Sequence, residues 1–99
     1  MFIYNVTINI DASVQDEWLQ WMQEAHIPDV MGTGCFVESR MLKVLNVEDE
    51  GTTYSVQYTF KEMRDIEEYR TQHAPRLQKD ALDKFRDKFV AFRTLLEIV

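Results

Sequence analysis

Residues 18–36, WLQWMQEAHIPDVMGTGCF, hold both tryptophans, the single cysteine and two of the three glycines of the chain. This segment combines the end of a helical pattern with a proline break and a return into a strand. The pattern predicts a helix over 14–31 that ends or kinks before Pro28, because proline lacks an amide hydrogen and clashes with the preceding turn. Gly32 and Gly34 then allow the chain to reverse into the next strand.

Alternating apolar and polar residues predict strands on both sides of this unit. Residues 2–10, FIYNVTINI, alternate strictly, and residues 52–60 repeat the pattern. Residues 35–47, whose two faces are mixed, and residues 88–98, which are largely apolar on both faces, are also predicted strands. The intervening VEDEGT predicts a hairpin turn in which Gly51 supplies a positive φ.

Periodic apolar residues predict the inner faces of two helices. Ser13 with Asp16 is typical of a helix N-cap, and one stripe follows it: Val14, Trp18, Trp21, Met22 and Ala25. A second helix is predicted over 62–86, broken at Pro75. Its inner residues are Met63, Ile66, Tyr69, His73, Leu77, Ala81 and Phe85.

The element order is therefore β-α-β-β-α-β, in which a strand and a helix ending at His-X-Pro occur twice. This order matches the split βαβ arrangement of an α+β, ferredoxin-like domain. Right-handed crossovers would place both helices on one face of a four-stranded antiparallel sheet of order 4-1-3-2. With 99 residues, the chain predicts a single domain over 1–99.

Composition excludes several classes of partner. Seventeen acidic against eleven basic residues give a net charge of −6, which disfavours nucleic acid and anionic membranes. No apolar segment is long enough to span a bilayer, and no secretory signal is present, so the expected location is the cytoplasm. Cys35 is alone, which predicts a free buried thiol rather than a disulfide or a metal site. No metal ligand set and no cofactor motif are found.

Two histidines occupy similar places before the two prolines. His26 lies at the predicted end of the first helix, where it is a candidate catalytic acid or base at the mouth of a helix–sheet pocket. The alternative is that its ring caps the last carbonyls of the helix. His73 repeats this position and is a candidate ligand-binding residue with the same structural alternative.

Aromatic residues and one arginine complete the candidate site. Tyr54 and Tyr58 lie on the apolar face of the third strand, with Tyr4 on that of the first, either as core residues or as the lining of a ligand cavity. Arg93 interrupts an apolar strand and must be paired or reach water. It would either form a salt bridge, to Glu38, Glu97 or a partner subunit, or bind an anion in a cavity.

Four segments carry a resemblance to a known family: IYNVT, WMQEAHIPDVM, TYSVQYTF and KFVAFRTLLE. They resemble a small bacterial family of unknown function, itself similar to the dimeric α/β-barrel superfamily. That superfamily includes cofactor-independent monooxygenases, haem-degrading monooxygenases and isomerases. The resemblance implies the ferredoxin-like fold and a homodimer joined through the sheet face opposite the helices. Compared with haem-degrading relatives, Asn5 on the first strand and His73 late in the second helix are in suggestive positions. The tryptophan that the resemblance implies near the start of the second helix is absent, and Phe60 and Lys61 stand there instead.

Two functions are consistent with these residues. The first is a homodimeric module that binds a small molecule or another protein without catalysis. The alternative is a cofactor-independent monooxygenase or isomerase, with His26 as acid or base and with Tyr58 and Arg93 holding a small anionic or aromatic substrate. An enzyme would need a cavity into which at least two of these side chains converge.

Overall fold

A computed structural model of the chain describes residues 1–45 and 50–99. Within them the strands are β1 (Phe2–Ile10), β2 (Glu38–Lys43), β3 (Thr52–Phe60) and β4 (Phe89–Glu97). The sheet order is β2-β3-β1-β4, and every neighbouring pair is antiparallel. The predicted α+β, ferredoxin-like arrangement and the strand order 4-1-3-2 are therefore confirmed.

The helices are α1 (Gln15–Trp21), α2 (Ile27–Met31), α3 (Met63–Gln72) and α4 (Ala74–Phe85). His73 separates α3 from α4, and Pro75 stands in the first turn of α4, where its missing amide hydrogen costs no helical bond. The predicted break of the second helix is confirmed.

The first helix differs from the prediction, because a π-turn over Met22–His26 joins α1 directly to α2. The Ile27 amide donates to the carbonyl of Met22, five residues earlier. This wider turn carries the chain to Pro28 without ending the helical path. The extra residue also rotates the inner stripe, so that His26 is half-buried while Ala25, predicted to face inward, is exposed.

The start of this helical segment is also capped differently. A 3₁₀ turn, Ala12–Val14, precedes α1, and the carboxylate of Asp11 accepts a 2.9 Å hydrogen bond from the Ser13 amide. The predicted Ser13 cap is therefore wrong. Asp11 replaces it because the chain turns helical two residues earlier than the apolar stripe indicates.

Strand β2 is shorter than predicted and begins at Glu38 instead of residue 35. Cys35 and Phe36 are consecutive and both buried, whereas consecutive residues of a one-sided strand point to opposite faces. The prediction for residues 46–47, and the first half of the predicted VEDEGT turn, lies outside the described residues. Gly51 has the expected positive φ, +77°.

The helices cover one face of the sheet, and the core lies between them. Tyr4, Ile8 and Ile10 of β1 point into it, together with Val56, Tyr58 and Phe60 of β3. Trp18 is 2% exposed, and the Cys35 thiol is buried and free, as predicted. In the part of the chain that the structure describes, no helix combines the length and the apolar character needed to cross a bilayer.

We call the other side of the sheet the open face. The antiparallel register places alternate strand residues on it, and none of the helices lies there: Ile3, Asn5, Thr7, Asn9, Glu38, Arg40, Leu42, Thr53, Ser55, Gln57, Thr59, Val90, Phe92, Thr94 and Leu96. Phe92 is 63% exposed on this face and Val90 is 70% exposed. Arg40, whose side could not be predicted, lies here and donates to the Gln57 side chain at 3.0 Å.

Candidate functional site

A cavity of about 280 Å³ lies between the helices and the sheet. Its walls come from β1, β3 and β4 on one side and from α1, the π-turn, α3 and α4 on the other. The lining side chains are Tyr4, Val6, Ile8, Trp18, Trp21, Met22, His26, Val56, Tyr58, Tyr69, Leu77, Gln78, Ala81, Leu82, Phe89, Ala91 and Arg93. The set is mostly apolar and aromatic, and it contains no carboxylate.

Strand register brings the polar residues of this cavity together. Tyr4 pairs with Tyr58 across β1 and β3, and Val6 of β1 pairs with Arg93 of β4. These residues share the helix-facing side of three adjacent strands. Arg93 therefore lies on the cavity face, which the sequence alone did not determine.

Arg93 has no carboxylate within salt-bridge distance in residues 1–45 and 50–99. The alternative of an ion pair with Glu38 is wrong because Glu38 lies on the open face of β2, at the opposite edge of the sheet. Arg93 is exposed, and its side chain lines the edge of the cavity, where the guanidinium reaches water. It is thus a cationic group that is available to a ligand.

Three tyrosines cluster at the inner end of the cavity. The ring of Tyr4 lies 6.3 Å from that of Tyr58 and 5.6 Å from that of Tyr69. These side chains are no more than 4% exposed, yet none of the described residues hydrogen-bonds to the hydroxyls of Tyr58 or Tyr69. Every side-chain oxygen of the described residues that is fully enclosed has a hydrogen-bond partner. The hydroxyls of Tyr58 and Tyr69 have none, so they are not fully enclosed. Because both residues line the cavity, these hydroxyls open onto it.

Burial keeps these hydroxyls protonated. Desolvation raises the pKa of Tyr58 far above its ordinary value, and the neighbouring Tyr69 and Tyr4 hydroxyls add to the effect. Desolvation and Tyr4 likewise raise the pKa of Tyr69, although the positive charge of Arg93 opposes the shift. Both groups are hydrogen-bond donors toward the cavity throughout the physiological pH range.

The π-turn determines where His26 points. Its ring stacks on Trp21 with 4.7 Å between centroids and an interplanar angle of 27°. Residues five apart on a regular α-helix point about 140° away from each other, so this contact depends on the wider turn. Among the described residues, no hydrogen bond joins the His26 side chain to a carbonyl of its own helical segment. The capping alternative is therefore not found, and the ring lines the cavity.

The electrostatic surroundings of His26 favour its neutral form. Burial lowers the pKa of His26, and the positive charge of Arg93 acts in the same direction, while Asp29 and Asp80 oppose it. Asp83 and Lys84 line the shallow depression on the outer side of the same ring. A neutral imidazole next to the cavity can accept a proton.

Two of the five predicted site residues lie elsewhere. The hydroxyl of Tyr54 accepts a 2.9 Å hydrogen bond from Gln15, and its ring packs 5.2 Å from that of Trp18. His73 joins α3 to α4 and is 6.5 Å from the Tyr69 ring. Neither lines the cavity, which brings together only His26, Tyr58 and Arg93 from the predicted set.

Sequence reasoning did not assign a role to Tyr69 or Gln78 in this cavity, whereas Trp18 and Trp21 were each expected either to pack in the core or to line a ligand cavity. Tyr69 was placed only on the inner stripe of its helix, and nothing local distinguishes it from a core tyrosine. Its ring lies 5.6 Å from that of Tyr4 of β1, a contact between two elements that only the fold creates. Among the described residues, no three histidine, cysteine or acidic side chains are grouped closely enough to hold a metal ion.

Replacing His26 by glutamine should flatten the loss of stability on acidification. The pKa of His26 is lower in the folded chain than in the unfolded chain. Below about pH 6.5 the unfolded chain therefore binds more protons, and the free energy of unfolding decreases as the pH is lowered. Glutamine cannot titrate, and the change itself should cost on the order of 1 kcal/mol or less at pH 7. Urea unfolding of both proteins from pH 7 to pH 5 measures the difference. Parallel curves would contradict the burial of the ring.

The sheet order, the helices on one face and the cavity between them define an α+β, ferredoxin-like domain. The family described as Domain of unknown function (DUF4286) matches residues 1–99, and the chain belongs to it. This agrees with the resemblance to a family of unknown function. No curated protein matches the chain.

Two solved structures are similar to this fold. An ethyl tert-butyl ether D (EthD) family protein from Bacillus halodurans has a TM-score of 0.74 at 9% identity, with 100% of each chain covered. A dimeric ferredoxin-like protein from an uncultured marine organism has a TM-score of 0.62 at 16% identity. That match covers 99% of this chain and 96% of the other. At these identities the similarity concerns the fold alone.

Proposed function

We propose that this protein is a homodimeric module that binds a small molecule in the helix–sheet cavity. The observation that carries the proposal is the cavity of about 280 Å³, with an aromatic wall and with Tyr58, His26 and Arg93 in its lining. Small-molecule sites are concave and largely apolar, with a few convergent polar groups and volumes from about 300 Å³ upward. A volume near this lower limit suits a compact ligand rather than a peptide.

Filling the cavity tests this proposal. Ala81 lines it from α4 and is only partly exposed, so Ala81→Phe should project a ring into the space a ligand needs. We expect this variant to lose binding of 2-naphthol, a neutral bicyclic probe, by at least about tenfold. Ala81→Leu, a smaller addition, should give a partial loss while keeping the overpacking strain low.

The control is Ala12→Phe, because Ala12 is exposed in the turn before α1 and lies outside the cavity. It should bind 2-naphthol as the wild type does. Calorimetric titration gives the affinities, and amide NMR spectra establish that each variant is folded. Folded Ala81 variants that bind the probe as well as the wild type would contradict the proposed site.

The open face supports the homodimer. At about 3.3 Å per residue, the three nine-residue strands are roughly 30 Å long and the six-residue β2 is roughly 20 Å long. With strands spaced about 4.8 Å apart, the face measures about 530 Å² in projection. Side chains corrugate this surface, so the accessible area approaches the roughly 800 Å² per partner of a standard interface. The face is thus large enough for a stable dimer.

The charges of the open face fit a second copy of the same chain. In a protein of net charge −6, the charged residues of the open face are only Glu38 and Arg40, one of each sign. The centre is a network of neutral groups in which Ser55 donates to the Asn5 side chain at 2.5 Å. Such a face can meet itself without like-charge repulsion.

We also place the protein in the cytoplasm, because a single free cysteine, Cys35, suits a reducing compartment.

The second candidate is a cofactor-independent monooxygenase or isomerase, and the position of His26 favours it. A neutral imidazole that lines the same cavity as Tyr58 and Arg93 can take a proton from a bound substrate. If the protein is an enzyme, His26→Gln should abolish turnover and leave binding intact. Proton NMR of a compound recovered after aerobic incubation with the protein distinguishes oxidation or isomerisation from binding alone.

A further inference from the structure

We infer that the ligand of this cavity is a planar aromatic carboxylate whose negative group is held by Arg93 and the hydroxyls of Tyr58 and Tyr69. This inference rests on the proposed small-molecule site and names its ligand class. It starts from a contrast in charge. Seventeen acidic residues occur in the chain, but none of those within residues 1–45 and 50–99 lines the cavity, whose lining includes Arg93 and His26.

The guanidinium supplies the attraction for an anion. In the residues that the structure describes, Arg93 has no carboxylate partner, and it lies near enough to Tyr69 and His26 to influence the pKa of each. A planar guanidinium matches the two oxygens of a carboxylate and forms stronger hydrogen bonds with it than with a neutral acceptor. The edge of the cavity at Arg93 therefore favours a carboxylate over an alcohol or an amide.

The tyrosine hydroxyls supply directed hydrogen bonds. Tyr58 is 2% exposed and Tyr69 is 4% exposed, and burial raises the pKa of both. They therefore present O–H donors instead of phenolate acceptors. Because the described residues leave both hydroxyls without a protein partner, a ligand acceptor would complete their hydrogen bonding. Hydrogen-bond donors that line the same cavity as a cation favour an anionic acceptor.

The remaining wall suits an aromatic ring. Trp21, Met22, Leu77 and Phe89 line the cavity, and aromatic and thioether side chains pack well on ring faces and edges. An apolar cavity of about 150 Å³ holds benzene. The volume of about 280 Å³ therefore has room for a ring system larger than benzene together with a carboxylate.

A pair of probes with the same rings tests the charge selection. 2-Naphthoate is an anion at pH 7 and 2-naphthol is neutral, so calorimetric titration should give tighter binding of the naphthoate. Arg93→Met keeps much of the stem and removes the charge. It should weaken 2-naphthoate binding at least about tenfold, or about 1.4 kcal/mol, because the charge-assisted hydrogen bonds to the carboxylate are lost. Binding of 2-naphthol should stay within about twofold.

Two further variants separate this role from a general effect of charge. Arg93→Lys should restore part of the naphthoate affinity. Arg70→Met makes the same change at an exposed position of α3 outside the cavity and should leave both affinities as in the wild type.

Three results would overturn the inference. They are equal affinity for the two probes, an equal effect of Arg93→Met on both, and an Arg70→Met effect as large as that of Arg93→Met. If 2-naphthol binds in the cavity but the charge has no influence, the proposed binding function stands without this ligand class. If neither probe binds to the folded wild type, the proposed function fails and the inference fails with it.

Discussion

Above pH 10 the protein is expected to lose stability steeply, because Tyr58 and Tyr69 resist ionisation while folded. Tyrosine in an unfolded chain ionises near pH 10, and burial raises the pKa of both groups well above that value. The unfolded state then binds fewer protons than the folded state, so the free energy of unfolding decreases as pH rises. Each group contributes about 1.4 kcal/mol per pH unit, or about 2.7 kcal/mol for the pair.

This slope is large against the roughly 5–15 kcal/mol that stabilises a small domain. Urea unfolding between pH 9 and pH 11.5 measures it. Replacing either tyrosine by phenylalanine should remove about half of the additional slope, since phenylalanine cannot ionise. Lysine deprotonation is common to all three proteins and cancels in the comparison. Equal slopes in the wild type and both variants would show that the two hydroxyls are hydrated in the folded state.

Replacing Phe92 by glutamate should convert the proposed homodimer into a monomer. The Phe92 ring is 63% exposed on the open face of β4, and it would be buried if two such faces met. The change removes an aromatic contact and places two like charges in the interface, and together these should raise the dissociation constant at least a hundredfold. Light scattering at about 10 µM should report twice the chain mass of 11.8 kDa for the wild type and the single mass for the variant.

Met63→Glu is the matched control for this experiment. Met63 is 44% exposed, but it begins α3 on the opposite side of the sheet. The control introduces the same charge and should remain dimeric. A monomeric wild type, or a Phe92→Glu protein that stays dimeric, would contradict the proposed interface. Urea unfolding of both variants establishes that any loss of dimer does not reflect a loss of folding.

The fold was predictable from the sequence where a pattern is local and repeated. Residues 2–10 and 52–60 alternate because one face of each strand is buried, and both strands form as predicted. Strand β2 was less predictable because Cys35 and Phe36 are buried by contacts with other elements. Phe36 packs 4.9 Å from the Tyr69 ring, a contact across 33 positions of sequence that no local pattern contains.

The candidate site was predictable only in part. Arg93 was recognised because it interrupts an apolar strand, His26 because it precedes Pro28, and Tyr58 because its strand alternates and places it on the apolar face. The π-turn was not predicted, because Pro28 is equally consistent with a helix that ends and with a helix that widens before it. That turn stacks His26 on Trp21 and so sets its orientation. Tyr69 was missed because its place in the cavity depends on how α3 packs on the sheet, where its ring lies 5.6 Å from that of Tyr4.

The most direct test of the binding site is to locate a bound probe by NMR. With 2-naphthoate added to methyl-labelled protein, we expect intermolecular nuclear Overhauser effects to the methyl groups of Met22 and Leu77, which line the cavity. The methyls of Leu42 and Leu96 on the open face should show none. Contacts confined to the open face, or no contacts to Met22 and Leu77 at saturating probe, would contradict a small-molecule site between the helices and the sheet.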